Sequence, residues 1–340
     1  MKNYSYLLNF FYLIALFRLE FIVLLVMNML FKLRAKLSKW ELLEFTGLIL
    51  FFSVYNMIAL QGRSIDLAAF SMLKGQVFWF LFVVFLWLYD RGAFRREGQE
   101  GLSDQAVFML LLGVIVLWFV AGGQSHELAM FSSLVASYLI IVRPRLTVFL
   151  ILLGALLTFF HLVSENRTAL MLLVIASGLR IGRPWALIPA MTLFTLLFWS
   201  EIEAIDFRFQ IIGTLINFPL MWALAEPLLI GIWSPVIDET SPIMELYSFN
   251  ENIFFLRSAA GDLTLTSLHN QWLHLLLQYG IFFLVYVFFR IARFVRMFAL
   301  NSSHVFSLSL IIVLSGFANS IVLSETFLLV AFFWGLIRNA

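Results

Sequence analysis

The residue best suited to acid–base chemistry is His269, which opens the sequence His269-Asn270-Gln271-Trp272. A histidine titrates with an unperturbed pKa of about 6.5, so it can accept a proton near neutral pH. His269 stands where a long, mixed connection gives way to an apolar run. At such a boundary the ring is wet enough to titrate and dry enough for its hydrogen bonds to be strong. We therefore predict that His269 acts as a general base.

Three cations are candidates for a functional role. Arg167 stands in Ser164-Glu165-Asn166-Arg167-Thr168, where its alternative role is an anchor paired with Glu165. Arg208 follows Asp206 by two residues, and the alternative there is a surface ion pair that contributes about 0–1 kcal/mol. Lys74 lies seven residues inside an apolar run. A buried lysine is costly unless it faces protein, water or an anion, which favours a functional role.

The elements that must position these residues are predicted from composition. The chain has 340 residues, of which 62% are hydrophobic and 12% are charged, with a mean hydropathy of +0.98. Soluble globular proteins average about 45–50% apolar and 25% charged residues. Since a span needs about 20 apolar residues, the sequence predicts an all-α fold, a polytopic transmembrane helical bundle of 11–12 spans in a single membrane domain over residues 1–340. The apolar runs occupy residues 4–31, 41–60, 67–89, 106–121, 127–142, 146–162, 168–179, 185–200, 271–289, 304–322 and 326–337.

Lysine and arginine concentrate in alternate connections between these runs, which predicts that those connections face the cytoplasm. The basic connections contain Lys32, Arg34, Lys36, Lys39, Arg91, Arg95, Arg96, Arg143, Arg145, Arg180, Arg183, Arg290, Arg293, Arg296 and Arg338. The opposite connections are acidic, and their few cations are Arg63, Arg167, Arg208 and Arg257. Counting the first run as one span or two leaves the side of the N-terminus open.

One connection, residues 201–268, is much longer than a turn requires, and its length predicts a functional element on the outer, periplasmic side. Residues 207–233 mix aromatic residues and prolines with few charges, which predicts an amphipathic helix at the membrane surface. Residues 234–266 are more polar and are predicted to form an exposed loop.

Several classes of site are excluded by the sequence. There is no cysteine, so disulfides and thiolate chemistry are absent. The balance of 22 Lys+Arg against 20 Asp+Glu argues against a nucleic-acid partner. No phosphate-binding glycine loop and no His-Glu-x-x-His zinc pattern occurs. Asp238-Glu239 is only loosely similar to a metal-binding acidic pair, and no metal site is predicted.

Four features of residues 160–290 together resemble a known family. They are the Asn-Arg-Thr step at Arg167, a long outer connection that contains Arg208, the sequence Pro-Leu-Leu-Ile-Gly over residues 227–231, and His269-Asn270 with Gly280 eleven residues after the histidine. This combination is similar to the bacterial O-antigen ligase and Wzy-type polymerase superfamily. The earlier part of the chain matches that family only in general character.

The resemblance implies a glycosyltransferase that uses no metal, no nucleotide sugar and no other cofactor. Such an enzyme transfers a saccharide from undecaprenyl diphosphate to an acceptor hydroxyl at the periplasmic face of the bacterial inner membrane. His269 would be the base in a single displacement with inversion, supported by Asn270 and Glu165. The cations that would bind the diphosphate are Arg167, Arg208, Lys74 and Arg257.

The alternatives differ in acceptor and in class. An O-antigen ligase, whose acceptor is lipid A-core, is slightly preferred over a polymerase that extends a lipid-linked glycan. A flippase or secondary transporter would instead be built from inverted repeats with charges near the bilayer midplane. A non-catalytic membrane scaffold would leave His269 dispensable.

Overall fold

The computed structural model describes residues 38–59, 67–90, 125–142, 167–180, 236–237, 255–257, 263–265 and 271–318, together with the helical positions 327, 330, 331 and 333–335. Six helices and three short strands have defined bounds within these residues. The helices are α1 (Lys39–Ala59), α2 (Leu67–Asp90), α3 (Ser125–Val142), α4 (Arg167–Arg180), α5 (Gln271–Phe298) and α6 (Ser302–Ala318). Each of them begins within two residues of a predicted apolar run.

Polar side chains define the starts of two helices. Ser38 precedes α1, and its Oγ accepts a hydrogen bond from the Glu41 backbone N–H at 3.3 Å. In return, the Glu41 carboxylate accepts from the Ser38 backbone N–H at 2.8 Å. This reciprocal pair is a capping box. At α6, the Asn301 side chain accepts from the His304 backbone N–H at 2.8 Å, so that a donor of the first turn is also satisfied.

Helix α5 bends sharply at Gly280, whose φ of 81° and ψ of 174° are non-helical. The rings of Trp272 and Phe288 are stacked with centroids 4.7 Å apart, although the two residues are 16 positions apart. In a straight helix their Cα atoms would be about 24 Å apart. The residues before and after Gly280 therefore fold back toward one another, as a first arm (271–279) and a second arm (281–298).

Two groups of aromatic side chains form the core around α5. One group joins α1 and α2 to α5 near the bend, where Phe51 stacks on Phe283 with centroids 5.3 Å apart and Tyr55 lies 4.9 Å from Tyr279. The other group lies at the end of the second arm, where Trp334 stacks on both Tyr138 and Phe294. Helices α3, α4 and α6 pack on one another, and α6 packs on α5. The bend thus lies between two buried aromatic clusters.

The long connection contains a small antiparallel sheet. Its strands are β1 (Val236–Ile237), β2 (Phe255–Arg257) and β3 (Leu263–Leu265), in the order β1-β3-β2. Thr264 of the central strand is opposite both Val236 and Leu256. The segment 234–266, predicted as an exposed loop, thus contains these three short strands, which pair over 6–10 residues between β2 and β3 and over 26–28 residues between β1 and β3. The predicted amphipathic helix, 207–233, lies outside the described residues.

The predicted bundle of 11–12 transmembrane spans is contradicted. Within the ranges described above, no helix combines the length and the sustained apolar character that crossing a bilayer requires. Individual helices illustrate the reason. Helix α4 has 14 residues, about 21 Å at 1.5 Å per residue, against a hydrocarbon core of about 30 Å. Helix α5 is longer but is broken at Gly280. The overall composition gives the number of apolar residues, but it does not show where a helix ends or is interrupted.

A second correction concerns the basic connection after the run 271–289. Arg290, Arg293 and Arg296 were predicted to lie in a turn between helices, but the second arm of α5 continues through them to Phe298. The charges are accommodated by ion pairs of Arg290 with Glu44 and of Arg293 with Asp90. A partner supplied by another helix allows the helix to continue where the local sequence predicts its end.

Candidate functional site

The structure describes the backbone of three predicted site residues. Lys74 lies in α2, Arg167 is the first residue of α4, and Arg257 is the last residue of β2. The other predicted site residues, His269, Asn270, Arg208 and Glu165, lie outside the described residues. The described part of the chain therefore shows which elements carry the three cations, and it describes the position of each in the backbone only.

Arg167 occupies an electrostatically unusual position. The N-terminus of a helix carries about half a positive charge, so cations there are disfavoured by about 0.3–1 kcal/mol and anions are favoured. The first turn of α4 contains no acidic residue that would offset the arginine. A cation added to the positive end of a helix dipole concentrates positive potential at that end, which favours an anionic ligand.

Helix α5 begins at Gln271, directly after His269-Asn270 in the chain. The start of the helix is fixed by Trp272, whose indole Nε1–H donates to the Val313 carbonyl of α6 at 2.8 Å. The same indole stacks on Phe288 of the second arm. A Cβ atom at Gly316 of α6 would clash with the indole, so glycine there permits the close approach. These contacts fix the point at which the His269-Asn270 segment joins the helix.

Gly280 is the other end of the motif that begins at His269. Its combination of positive φ and extended ψ is a region of backbone conformation that is essentially restricted to glycine. Any side chain at this position would strain the bend. The glycine of the motif therefore has a defined structural role, which is to reverse the direction of the chain nine residues after the start of α5.

Buried amides and tyrosines surround the bend. Asn56 of α1 and Gln76 of α2 exchange two side-chain hydrogen bonds, each 2.9 Å long, so the amide of the buried Gln76 is doubly paired. Tyr279, the last residue of the first arm, is buried and interacts with the Gln76 side chain. Aromatic rings lie beside this polar group, because the centroid of the Tyr279 ring is 4.9–6.4 Å from those of Phe51, Phe52 and Tyr55.

Gln271 contrasts with Gln76. Its side chain is 0% exposed, and neither Nε2 nor Oε1 has a hydrogen-bond partner within the described structure. A buried polar atom without a partner costs about 1–3 kcal/mol relative to its hydrated state. Such atoms are rare in folded proteins, and each one calls for a physical explanation.

The second arm carries a charged group against α1. Arg290 is almost fully buried and forms an ion pair with Glu44, which also accepts a 2.5 Å hydrogen bond from the Tyr286 hydroxyl. Burial lowers the pKa of Arg290 to about 10; repulsion from Arg293 acts in the same direction and Glu41 opposes it. The guanidinium is still protonated at neutral pH, so the pair with Glu44 is ionic under physiological conditions.

A metal site requires several donor side chains close together. Within those elements, no three His, Cys, Asp or Glu side chains lie close enough together to hold a metal ion. The prediction that no metal takes part stays a prediction for the whole chain.

Sequence reasoning missed the buried amides. Gln76 and Gln271 stand within apolar runs, and a polar residue in such a run is a signal that it has a buried partner or ligand. The signal does not tell the two cases apart, because the partner of Gln76 is 20 positions away in another helix.

Comparison of the chain with models of protein families, with curated proteins and with solved structures found no match. We therefore infer the function from the residues of this chain alone.

Proposed function

We propose that the protein is a metal-independent glycosyltransferase that moves a saccharide from undecaprenyl diphosphate to an acceptor sugar hydroxyl. In the preferred form of this proposal the enzyme is an O-antigen ligase and the acceptor is lipid A-core. The proposed location is the bacterial inner membrane, with the reaction on its periplasmic face.

The observation that carries the proposal is the conformation of the motif on which the family resemblance rests. His269-Asn270 directly precedes α5, and Gly280 adopts a conformation that only glycine tolerates. From Gln271 to Gly280, the described part of this motif is a short helical arm that ends in a chain reversal. A chance match of residue types would not require glycine at this position.

The proposed chemistry divides between a base and cations. His269 removes the proton of the acceptor hydroxyl as its oxygen attacks the anomeric carbon, and the bond from that carbon to the diphosphate oxygen breaks with inversion. The departing diphosphate is negatively charged, so cations that bind it lower the barrier. Arg167 and Arg208 are the principal candidates, and Lys74 and Arg257 are secondary ones. The position of Arg167 at the start of α4 supports its part in this assignment.

The proposed location follows from the donor, whose polyprenyl chain is soluble only in a membrane. The described helices expose large apolar side chains at helical spacing, including Leu43, Leu50 and Met57 on α1 and Phe282 and Phe289 on α5. Large apolar side chains exposed at seven-residue intervals along one helix favour contact with lipid or with another protein. This surface supports a protein that works in contact with lipid.

The proposal is tested by His269→Ala in a strain that lacks the native gene. We expect loss of surface glycan, because alanine cannot accept the proton that the proposed base removes from the acceptor hydroxyl. His304→Ala is the matched control, since His304 lies at the start of α6, where the Asn301 side chain caps the helix by accepting from the His304 backbone N–H, a hydrogen bond that alanine keeps. Immunoblots of the membrane fraction must show equal amounts of both variants. Full-length banded lipopolysaccharide from the His269→Ala strain would contradict the assignment.

The null strain also separates the ligase from the polymerase. If the protein is a ligase, long polymer accumulates on undecaprenyl diphosphate when the gene is deleted. If it is a polymerase, lipid A-core carries a single repeat unit instead. Analysis of the lipid-linked and core-linked glycans by mass spectrometry distinguishes these two outcomes.

A further inference from the structure

The amide of Gln271 can both donate and accept hydrogen bonds, and no group of the described residues pairs with it. Its Nε2 and Oε1 atoms are both buried and have no partner among the described residues. Trp272, the next residue, is held by Val313 and Phe288. The first turn of α5 is therefore fixed in place, and the amide cannot reach water by a shift of the helix start without loss of those contacts.

We propose that the Gln271 carboxamide binds adjacent hydroxyl groups of the saccharide substrate, with Nε2 donating to one hydroxyl oxygen and Oε1 accepting from its neighbour. This inference rests on the proposed function and names a substrate-binding residue for it. A saccharide fits because each hydroxyl both donates and accepts a hydrogen bond. A diphosphate offers acceptors only, so it would leave Oε1 unpaired and would repel it.

The position of Gln271 in the chain links this contact to the proposed base. One residue separates Gln271 from His269, so their Cα atoms are at most about 7 Å apart. This separation is comparable to the size of a sugar ring, so one saccharide is large enough to contact both residues. A carboxamide at this point would orient the sugar, while the arginines bind the departing diphosphate.

The test is Gln271→Met, which keeps the length and approximate volume of the side chain and removes both polar groups. Gln76→Met is the matched control, because the amide of Gln76 is equally long, is also buried, and is paired with Asn56. Transfer is measured with purified full-length protein, using undecaprenyl-diphosphate-linked glycan and lipid A-core extracted from the null strain. Thermal unfolding is measured with and without two soluble probes, the deacylated core saccharide and the glycan released from its lipid.

We expect Gln271→Met to raise the KM for the donor or for the acceptor about 10-fold with little change in kcat, the effect of losing two neutral hydrogen bonds. The increase in Tm that the corresponding saccharide causes in the wild type should be lost. The Tm without saccharide should not fall, because no protein hydrogen bond is removed. Gln76→Met should instead lower that Tm and leave both KM values within about twofold of the wild type.

Two outcomes would overturn the inference. One is a Gln271→Met variant whose KM values and saccharide-induced change in Tm equal those of the wild type. The other is a fall in its Tm comparable to that of Gln76→Met, with unchanged KM, which would show that the amide serves the protein itself. If the wild type transfers no glycan, the proposed function fails, and the change in Tm caused by the saccharides decides the binding role of Gln271 independently.

Discussion

Each arm of α5 contains a buried side chain whose polar groups are satisfied to a different extent. In the second arm, Arg290 forms an ion pair with Glu44, although its Nη1 has no partner among the described residues, and the partly exposed Arg293 pairs with Asp90. In the first arm, the Gln271 amide is equally buried and has no partner in the described structure. Paired groups secure the packing of a helix, whereas an unpaired group lowers stability and remains available to a ligand. The comparison suggests that the second arm supports the fold and that the first arm supports binding.

The largest expected effect tests the second arm. Arg290→Met leaves Glu44 without its buried cation, and removal of one partner of a buried ion pair typically costs about 3–5 kcal/mol. We expect the free energy of unfolding to fall by this amount in denaturant titrations. Arg296→Met is the control, because Arg296 lies on the same arm but is exposed. Equal stability of the two variants would show that the ion pair does not secure α5 against α1.

The next effect concerns the boundary between the arms. Gly280→Ala places a side chain in a backbone conformation that disfavours it, and we expect a loss of up to about 3 kcal/mol of stability. The control is Gly47→Ala in α1, where the added methyl group meets no atom within 4 Å. There alanine should raise stability by about 0.5–1 kcal/mol, because it favours the helix. A Tm of the Gly280→Ala variant above that of the wild type would contradict the bend at this residue.

The smallest effect tests the support of the first arm. Gln76→Met removes two hydrogen bonds to Asn56 and leaves that half-buried amide unpaired. We expect a loss of about 1–2 kcal/mol in the free energy of unfolding. The same substitution at Gln271 should cause no loss, so the difference between the two variants measures the contrast between a paired and an unpaired amide. A similar loss of unfolding free energy in Gln76→Met and Gln271→Met would contradict the difference between the two amides.

Much of the local helical structure could be predicted from the sequence. The run 67–89 became α2, Leu67–Asp90, and the run 127–142 became α3, Ser125–Val142. Helix ends were harder to predict where a distant residue decides them. The second arm of α5 extends nine residues beyond its run because Asp90 and Glu44, from other helices, pair with its arginines. Long-range partners of this kind leave no mark on the local sequence.

The spans and the site were less predictable. Composition gave the apolar content correctly but not the length and interruption of each helix, so the predicted transmembrane bundle was wrong for the described helices. For the site, the sequence identified Gly280 as part of a motif, but only its backbone angles explain why it is glycine. Gln271 was passed over because its complete burial is a property of the tertiary structure.

The contact between Trp272 and α6 affects which sequence changes can alter the specificity of this protein. Val313 and Gly316 are more than 40 positions away in the chain, yet they fix where the segment with His269 and Asn270 enters α5. A side chain larger than glycine at position 316 would displace the Trp272 indole, and with it the start of α5, without touching a reacting group. In a screen for variants that accept a different sugar, we therefore expect hits on α6, a helix that carries none of the proposed site residues.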